Sequence, residues 1–251
     1  GRKIWLNIPA WFLMNNGKLP GVVLSLVRST QPITQSNISD AEPVAHEDLP
    51  ISLPREGTAL DYSYAVEDLD KFNPYGIRYY YAVRESIDGS AAALYDAGNN
   101  FDGGNISNTF KPGEAALQIQ KTWDWSKRQP EQLTYPAIWF EVRQIWTPVG
   151  GDPRDALFTT VKFDGGSIED RDNFTTDPRV VKGLPKYAPD GTAYQYYVVE
   201  RPVGGYDSLP KRTIGTEDKT ASDILAVVDV ENGIPVGTLP NAEFVNTYRQ
   251  P

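Results

Sequence analysis

Three polar residue types recur in the same order in each half of the sequence: a lysine, a glutamate and an asparagine. Each lysine lies two residues before a tryptophan, and each asparagine begins an Asn-Thr-aromatic tripeptide. The two sets are Lys3, Glu85 and Asn108, and Lys121, Glu200 and Asn246. A neutral lysine amine is a nucleophile, an asparagine amide is an electrophile that can lose ammonia, and a carboxyl group can relay the protons. Each set could therefore form a covalent cross-link between its lysine and its asparagine.

The stretches around these residues also recur, which indicates two tandem domains. The pattern Leu-x-Lys-aromatic-x-Pro-x-Gly occurs at 69–76 and at 184–191, and each closing glycine is followed by the glutamate at the same spacing. A repeat this long is a pair of domains rather than a short-period solenoid. The domains are predicted to span 1–111 and 115–251, with a short junction between them.

Side-chain alternation predicts that the polar residues of both sets lie on apolar strand faces. The pattern Tyr-x-Tyr-x-Val-x-Glu occurs at 79–85 and at 194–200, and strand residues two apart share a face. The same test places each lysine with a tryptophan and each asparagine with aromatic residues, whereas nearby Asn105 and Asn241 fall on the other face. Burial lowers the pKa of a lysine and raises the pKa of a glutamate. A folded core also supplies the effective concentration that the reaction needs.

The composition suits an all-β protein of short strands and excludes several functional classes. The 251 residues include 20 Pro, 21 Gly and 14 Tyr, a mixture typical of strands separated by turns. The net charge is −9 without a basic stretch, which argues against nucleic acid as a partner. The absence of cysteine excludes disulfides and thiolate metal sites, and no cofactor or metal is predicted. No apolar run is long enough to span a membrane, and no signal peptide opens the sequence.

Taken together, the Lys-x-Trp opening, the Leu-x-Lys-aromatic-x-Pro-x-Gly stretch, the Tyr-x-Val-x-Glu strand and the Asn-Thr-aromatic close resemble Cna B-type domains. These domains are stalk modules of Gram-positive surface adhesins and pilins, and the resemblance covers nearly the whole chain as two copies. It implies two tandem immunoglobulin-like β-sandwiches, each with a self-formed isopeptide bond between its first and last strands. The implied bonds are Lys3–Asn108, with Glu85 as the catalytic residue, and Lys121–Asn246, with Glu200. The first copy departs from the pattern at Asp70, where the second has Pro185.

The resemblance implies a structural stalk segment on the extracellular, wall-attached surface rather than an enzyme, since each bond forms only once. The implied partners are host extracellular matrix or glycan, or neighbouring pilin subunits. Two other functions stay open: a ligand-binding adhesin tip that uses loop insertions at 29–57 and 150–178, and an accessory module of a secreted glycan-active enzyme. For the site itself, the alternative is a buried Lys–Glu ion pair with the asparagine as a hydrogen-bond partner.

Three local features complete the sequence-based predictions. Oxygen-rich clusters at 96–105 and 164–172 could hold calcium, but neither has a defined ligand-loop spacing, so solvated turns are the preferred interpretation. Trp139 and Trp146 are predicted to be core residues; Trp146, beside the second insertion, is the weaker candidate and could face a ligand. Asn232-Gly233 predicts a β-hairpin.

Overall fold

Strands dominate the computed structural model of the chain, and the prediction of an all-β fold is confirmed. The structure describes residues 1–47, 49–53, 59–101, 104–126, 134–148, 150–167 and 173–249. The chain divides into two compact units: unit 1 comprises Gly1–Pro112 with Tyr187–Gly191, and unit 2 comprises Gly113–Lys186 with Thr192–Pro251. The sequence-based limits of the two domains, 1–111 and 115–251, stay a prediction.

Unit 1 is built from two sheets and one short α-helix in its described part. Its strands are β1 (Arg2–Leu6), β2 (Val22–Ser29), β3 (Glu42–Pro43), β4 (Ile51–Leu53), β5 (Asp61–Ser63), β6 (Tyr80–Ile87), β7 (Tyr95–Asn100) and β8 (Asn105–Phe110). Helix α1 spans Ala10–Met14, and short 3₁₀ helices span Ile38–Asp40 and Gly89–Leu94. One sheet has the order β5-β1-β8-β7; in the other, β2 pairs with β3, β4 and β6.

Unit 2 has two main sheets and additional strand pairs. Its described strands are β9 (Glu114–Asp124), β10 (Thr134–Tyr135), β11 (Ile138–Trp146), β12 (Arg154–Phe163), β13 (Gly166–Ser167), β14 (Asn173–Thr175), β15 (Arg179–Pro185), β16 (Gln195–Glu200), β17 (Tyr206–Leu209), β18 (Lys211–Ile214), β19 (Glu217–Thr220), β20 (Val228–Glu231), β21 (Ile234–Pro235) and β22 (Asn241–Tyr248). The larger sheet has the order β17-β22-β9-β20-β21, with β14 and β15 also paired to β9. The smaller sheet has the order β12-β11-β16, and β10-β13 and β18-β19 form separate ribbons.

The first strand of each unit pairs in parallel with the last. In unit 1, β1 lies beside β8 with Lys3 opposite Ile106. In unit 2, β9 lies beside β22 with Lys121 opposite Phe244. Parallel neighbours require a long crossover between them, and here the crossover contains nearly the whole unit. The two ends of each unit's chain therefore meet in one strand pair.

A second layer of side chains covers the outer face of each glutamate-bearing strand. In unit 1, Ile33 and Ala41 form a buried cluster with Ala82 of β6. In unit 2, Ala221 forms a similar cluster with Tyr197 of β16. Burying this apolar surface adds stabilisation in proportion to its area. The glutamates therefore lie on strands that are packed from both sides.

The described parts of the two predicted insertions are incorporated into the sheets. Segment 29–57 supplies β3 and β4, which both pair with β2. Segment 150–178 supplies β12, β13 and β14, which pair with β11, β10 and β9. Residues 48, 54–57 and 168–172 of these segments lie outside the described residues. The described parts thus act as structural elements of the two units.

The predicted ranking of the two tryptophans in β11 is wrong. Trp146 is fully buried, and its Nε1 donates a hydrogen bond to Thr192 Oγ1 at 2.7 Å. Trp139 is 41% exposed, with the cationic groups of Lys162 and Arg201 near its ring. The two tryptophans are seven positions apart, an odd spacing, so the alternation of the strand places them on opposite faces.

Candidate functional site

In unit 1, two adjacent strands hold the lysine and the asparagine on one face. Lys3 stands opposite Ile106 in the β1–β8 pair, and Asn108 lies two residues further along β8. Residues two apart on a strand share a face, so Lys3 and Asn108 are diagonal neighbours on the inner side of their sheet. Both side chains are fully buried.

The glutamate of unit 1 reaches this pair from the other sheet. Glu85 lies on β6, and its Oε1 is 3.2 Å from Lys3 Nζ. The same oxygen accepts a hydrogen bond from Asn108 Nδ2 at 3.0 Å. Lys3 Nζ also donates to the Ile4 carbonyl at 3.3 Å, and the Glu85 side chain is 7% exposed. One carboxyl oxygen therefore contacts both groups that would react.

Unit 2 repeats this arrangement with the same strand register. Lys121 stands opposite Phe244 in the β9–β22 pair, and Asn246 lies two residues beyond Phe244. Glu200, on β16 of the other sheet, accepts a hydrogen bond from Lys121 Nζ through Oε2 at 2.7 Å. All three side chains are buried. The two sets of side chains, each with its own lysine, glutamate and asparagine, are called site 1 and site 2 below.

Several buried polar atoms in these sites have no hydrogen-bond partner. They are Asn108 Oδ1 in site 1, and Glu200 Oε1 with both amide atoms of Asn246 in site 2. A buried polar group without a partner costs about 1–3 kcal/mol. An ion pair supported by a hydrogen-bonding asparagine, the alternative considered for the sequence, leaves the Asn246 amide unsatisfied. A reaction that consumes this amide removes part of that cost.

Burial shifts the pKa values of both lysines and of Glu85 in the direction that favours a neutral amine and a protonated carboxyl group. Burial lowers the pKa of Lys3 to about 8, although the charge of Glu85 opposes the shift. Lys121 is affected in the same way: burial lowers its pKa to about 8 against the opposing charge of Glu200. Burial also raises the pKa of Glu85, against the influence of Lys3. The lysines are therefore deprotonated more readily than a lysine in water.

The chain is similar to several solved structures. No family model and no curated protein matches it. It is similar to two B repeat units (B1B2) of the collagen-binding protein of Staphylococcus aureus, at 18% identity and a TM-score of 0.26, over 99% of this chain and 48% of that one. It is similar to the major pilin from Streptococcus pyogenes, at 12% identity and a TM-score of 0.30, over 98% and 96% of the two chains. A third match is the shaft pilin SpaA of Lactobacillus rhamnosus GG, at 12% identity and a TM-score of 0.24, over 99% and 96%.

This chain thus spans about half the length of the Staphylococcus aureus structure that it matches. The matched proteins named here are B repeat units and pilins. The side chains of sites 1 and 2, rather than these superpositions, carry the functional inference. No helix in the described part of the chain is long and apolar enough to cross a membrane.

The structure also excludes the two nearby asparagines by position. Asn105 is exposed, and its Oδ1 accepts a hydrogen bond from the backbone nitrogen of Arg2 at 3.0 Å. Asn241 donates to Gln120 and to the exposed Glu243. Alternation along each strand thus separates these two asparagines from the six residues of the sites.

Two further contacts were not foreseen from the sequence. Lys3 Nζ lies 4.1 Å from the centre of the Trp5 ring, and Lys121 Nζ lies 5.1 Å from that of Trp123. An aromatic face attracts an ammonium group, which gives the Lys-x-Trp motif a physical role in holding the amine. Burial, and then the charge of Glu85, raises the pKa of Tyr64 to about 12.

The described residues offer no group of three or more His, Cys, Asp or Glu side chains that could hold a metal ion. Several members of the oxygen-rich clusters lie outside the described part of the chain, namely Asp102, Glu169, Asp170 and Asp172. The alternative of calcium binding at these clusters stays a prediction.

Proposed function

We propose that the chain is a load-bearing stalk segment of a Gram-positive surface adhesin or pilin, with one self-formed isopeptide bond in each unit. The bonds join Lys3 to Asn108 and Lys121 to Asn246. Glu85 and Glu200 are the catalytic residues, each used once. The observation that carries this proposal is the duplicate geometry. In both sites, the buried asparagine lies two residues beyond the residue that pairs with the buried lysine. A glutamate from the opposite sheet contacts the lysine amine.

The proposed reaction begins when the lysine ammonium passes one proton to the glutamate carboxylate. The neutral Nζ attacks Cγ of the asparagine, while the protonated carboxyl polarises the amide oxygen. A proton then moves from Nζ to the departing nitrogen by way of the glutamate. The Nζ–Cγ bond forms, the Cγ–Nδ2 bond breaks, and ammonia leaves. The glutamate ends protonated beside a neutral amide, so no unpaired charge stays buried.

The strand pairing explains why such a bond would suit a stalk. Force applied along the chain enters a unit at its first strand and leaves at its last, and these strands are neighbours. A covalent bond between them passes the load directly from one to the other. In unit 1 it also closes a loop of about 105 residues, which by analogy with disulfides stabilises the fold by roughly 4–5 kcal/mol.

The test is the intact mass of the denatured protein. Two closed bonds make the chain lighter than its sequence by two ammonia molecules, and peptide mapping should recover one cross-linked pair around Lys3 and Asn108 and another around Lys121 and Asn246. Asn108→Ala and Asn246→Ala should each remove one bond, whereas Asn105→Ala and Asn241→Ala, on the same strands, should remove none. An unshifted parent mass would reject the cross-linking proposal in both units.

A cell-surface location and partners such as matrix, glycan or neighbouring subunits belong to the same proposal. The binding-tip alternative has less support, because the described parts of segments 29–57 and 150–178 are paired into sheets. A binding screen against matrix proteins and glycans, with the parent chain and with chains that lack residues 54–58 or 168–172, would separate the two functions.

A further inference from the structure

Both units have a cavity at the same edge of their two sheets. In unit 1 the cavity has a volume of about 230 Å³ and lies between β6, which carries Glu85, and β7. In unit 2 the cavity has a volume of about 570 Å³ and lies between β16, which carries Glu200, and β17. Strands β7 and β17 are the edge strands next to the last strands β8 and β22. Each glutamate lines the cavity of its own unit.

A small residue separates each cavity from the asparagine. Ala97 of β7 stands directly opposite Asn108, and Ser208 of β17 stands directly opposite Asn246. Residues directly opposite each other on antiparallel strands project from the same face. Ala97 and Ser208 line their cavities. In each unit, therefore, a residue with a small side chain both lines the cavity and stands opposite the asparagine that would react.

Larger side chains, those of Asn99 and Tyr206, lie two positions away from Ala97 and Ser208 on the same strands. In unit 1, Asn99 Nδ2 donates a hydrogen bond to the Val83 carbonyl at 3.2 Å, which connects β7 to β6. In unit 2, Tyr206 lines the cavity two residues before Ser208 and packs edge-on against Trp123. In both units the small residue thus has a larger, cavity-lining residue two positions away on the same strand. Its position relative to the lysine, glutamate and asparagine is a fourth repeated feature of the sites.

We propose that these cavities are the exits through which ammonia leaves sites 1 and 2, and that Ala97 and Ser208 keep the exits open. This inference rests on the proposed isopeptide reaction. Ammonia released in a closed core would remain beside the new amide at high effective concentration, and it could attack the amide and restore the starting groups. Escape to solvent dilutes the ammonia and makes bond formation irreversible. Ala97 has no polar side-chain atom, and Ser208 makes no hydrogen bond to Asn246 Nδ2, so we assign both residues to the exit rather than to the bond-making step.

The experiment follows bond formation in refolding chains. The chain is collected unfolded in denaturant, where the strands that bring lysine and asparagine together are absent, and is refolded by dilution. Quenched samples are analysed by intact mass and peptide mapping. Ser208→Leu should slow loss of the second ammonia several-fold, whereas the first bond in the same molecule should form at the parent's rate. The final extent of the second bond should stay complete, because Lys121 and Asn246 keep their register.

Asp207→Leu is the control, because this exposed neighbour on β17 places a leucine on the opposite face of the same strand. It also removes the ion pair between Asp207 and Arg249, which lines the cavity. Its second bond should form at the parent's rate. The series Ser208→Ala, Ser208→Val and Ser208→Leu should slow the second bond in order of side-chain volume. Ala97→Leu should slow the first bond and spare the second. Near-ultraviolet circular dichroism establishes that each variant is folded.

The outcomes separate the two proposals. If the parent never loses ammonia, the isopeptide function itself is rejected. If the parent forms both bonds and folded Ser208→Leu forms the second at the parent's rate, the exit assignment is overturned. Should Ser208→Leu fail to fold, Ser208→Val and Ala97→Leu decide the question by the same comparison.

Discussion

A single oxygen of Glu85 contacts both the amine and the amide of site 1, whereas in site 2 the glutamate oxygens have separate environments. Glu85 Oε1 holds Lys3 Nζ and Asn108 Nδ2 together. Glu200 uses Oε2 for Lys121 and leaves Oε1 without a partner. Site 1 is therefore arranged for proton transfer to the leaving nitrogen, and site 2 for proton removal from the amine. Both steps belong to the same proposed reaction.

At the scale of the residue, the first prediction concerns the carboxyl groups. Glu200→Gln keeps the shape of the side chain but cannot accept the proton of Lys121, so the second bond should fail to form in a folded protein. The variant should then be lighter than its own sequence by one ammonia molecule, whereas the parent is lighter by two. Glu243→Gln, at an exposed position on β22, is the control and should lose two ammonia molecules, as the parent does. Full cross-linking of folded Glu200→Gln would contradict the assigned proton relay.

A second prediction concerns the pH dependence of bond formation in site 1. The productive form of the pair has one proton, with Lys3 neutral and Glu85 protonated. Below the folded pKa of Glu85, which burial raises, both groups are protonated. Above a pH of about 8, the pKa of buried Lys3, neither is protonated and the carboxyl cannot donate. The rate of ammonia loss from refolding chains should therefore pass through a maximum and fall above about pH 8. A rate that rises steadily far above that pH would contradict this mechanism.

The sequence repeat suggested the six site residues, and alternation along the strands placed Asn105 and Asn241 on the other face. It could not identify Ala97 or Ser208, because their role depends on which residue stands opposite each asparagine. Cross-strand register is a tertiary property that one strand's pattern does not encode. The missing hydrogen-bond partners of Asn246 likewise depend on the packing of the second sheet.

At the scale of the element, the decisive feature is the shared register of the two parallel strand pairs. In each, the asparagine lies two residues beyond the partner of the lysine. A displacement by one residue would turn the amide to the outer face. The double substitution Asn246→Ala with Thr247→Asn should therefore abolish the second bond and leave the first intact, as measured by mass and peptide mapping.

Thr247→Asn alone provides the control for this register test, because it keeps Asn246 in place and should still form both bonds. A cross-link between Lys121 and the amide introduced at position 247 in the double variant would show that strand register does not select the reacting amide.

The segment 29–57 gives a further prediction about structure. Ile33 is buried in the cluster over β6, so Ile33→Ala should lower the free energy of unfolding of unit 1 by about 2 kcal/mol through lost burial and a cavity. The measurement is denaturant unfolding of an Asn108→Ala background, in which the first bond is absent. Gln31→Ala, at an exposed position, should have little effect. Equal stability of the two variants would mean that the segment does not support the sheet.

The hairpins and strands that the sequence predicted correctly are those whose pattern lies in neighbouring residues. Asn232-Gly233 indicated a hairpin, and it connects β20 to β21 with both residues at positive φ. The strands that carry the glutamates were also foreseen from their alternation. The cover over β6 and β16 was not, because it comes from segments distant in sequence. The prediction that Trp139 is a core residue rested on its aromatic side chain. Trp139 is exposed because it lies on the strand face opposite to that of buried Trp146.

At the scale of the whole molecule, the last prediction is mechanical. The start of β1 and the end of β8 lie at opposite ends of a parallel pair, so tension between the chain's termini loads this pair in shear. With the bond closed, a single-molecule stretch from Gly1 to Pro251 should show neither unit extending. Asn108→Ala should release unit 1 and add about 350 Å of extended chain, and Asn246→Ala should release unit 2 and add about 420 Å. Extension of the parent by this amount would reject the stalk function.

The position of the reacting residues near the two ends of each unit has a consequence for damage by proteases. With both proposed bonds closed, the chain contains two covalent rings, one from residue 3 to 108 and one from residue 121 to 246. A protease that cuts a surface loop inside a ring opens the ring but releases no fragment, since the other arm still connects the ends. Only a cut outside the rings, in the stretch 109–120 or in the short terminal stretches 1–2 and 247–251, would divide the molecule. Eleven-residue β9 begins within 109–120 and is held in the sheet of unit 2. The chain would thus keep its connection to whatever lies at either end after cleavage of its exposed loops.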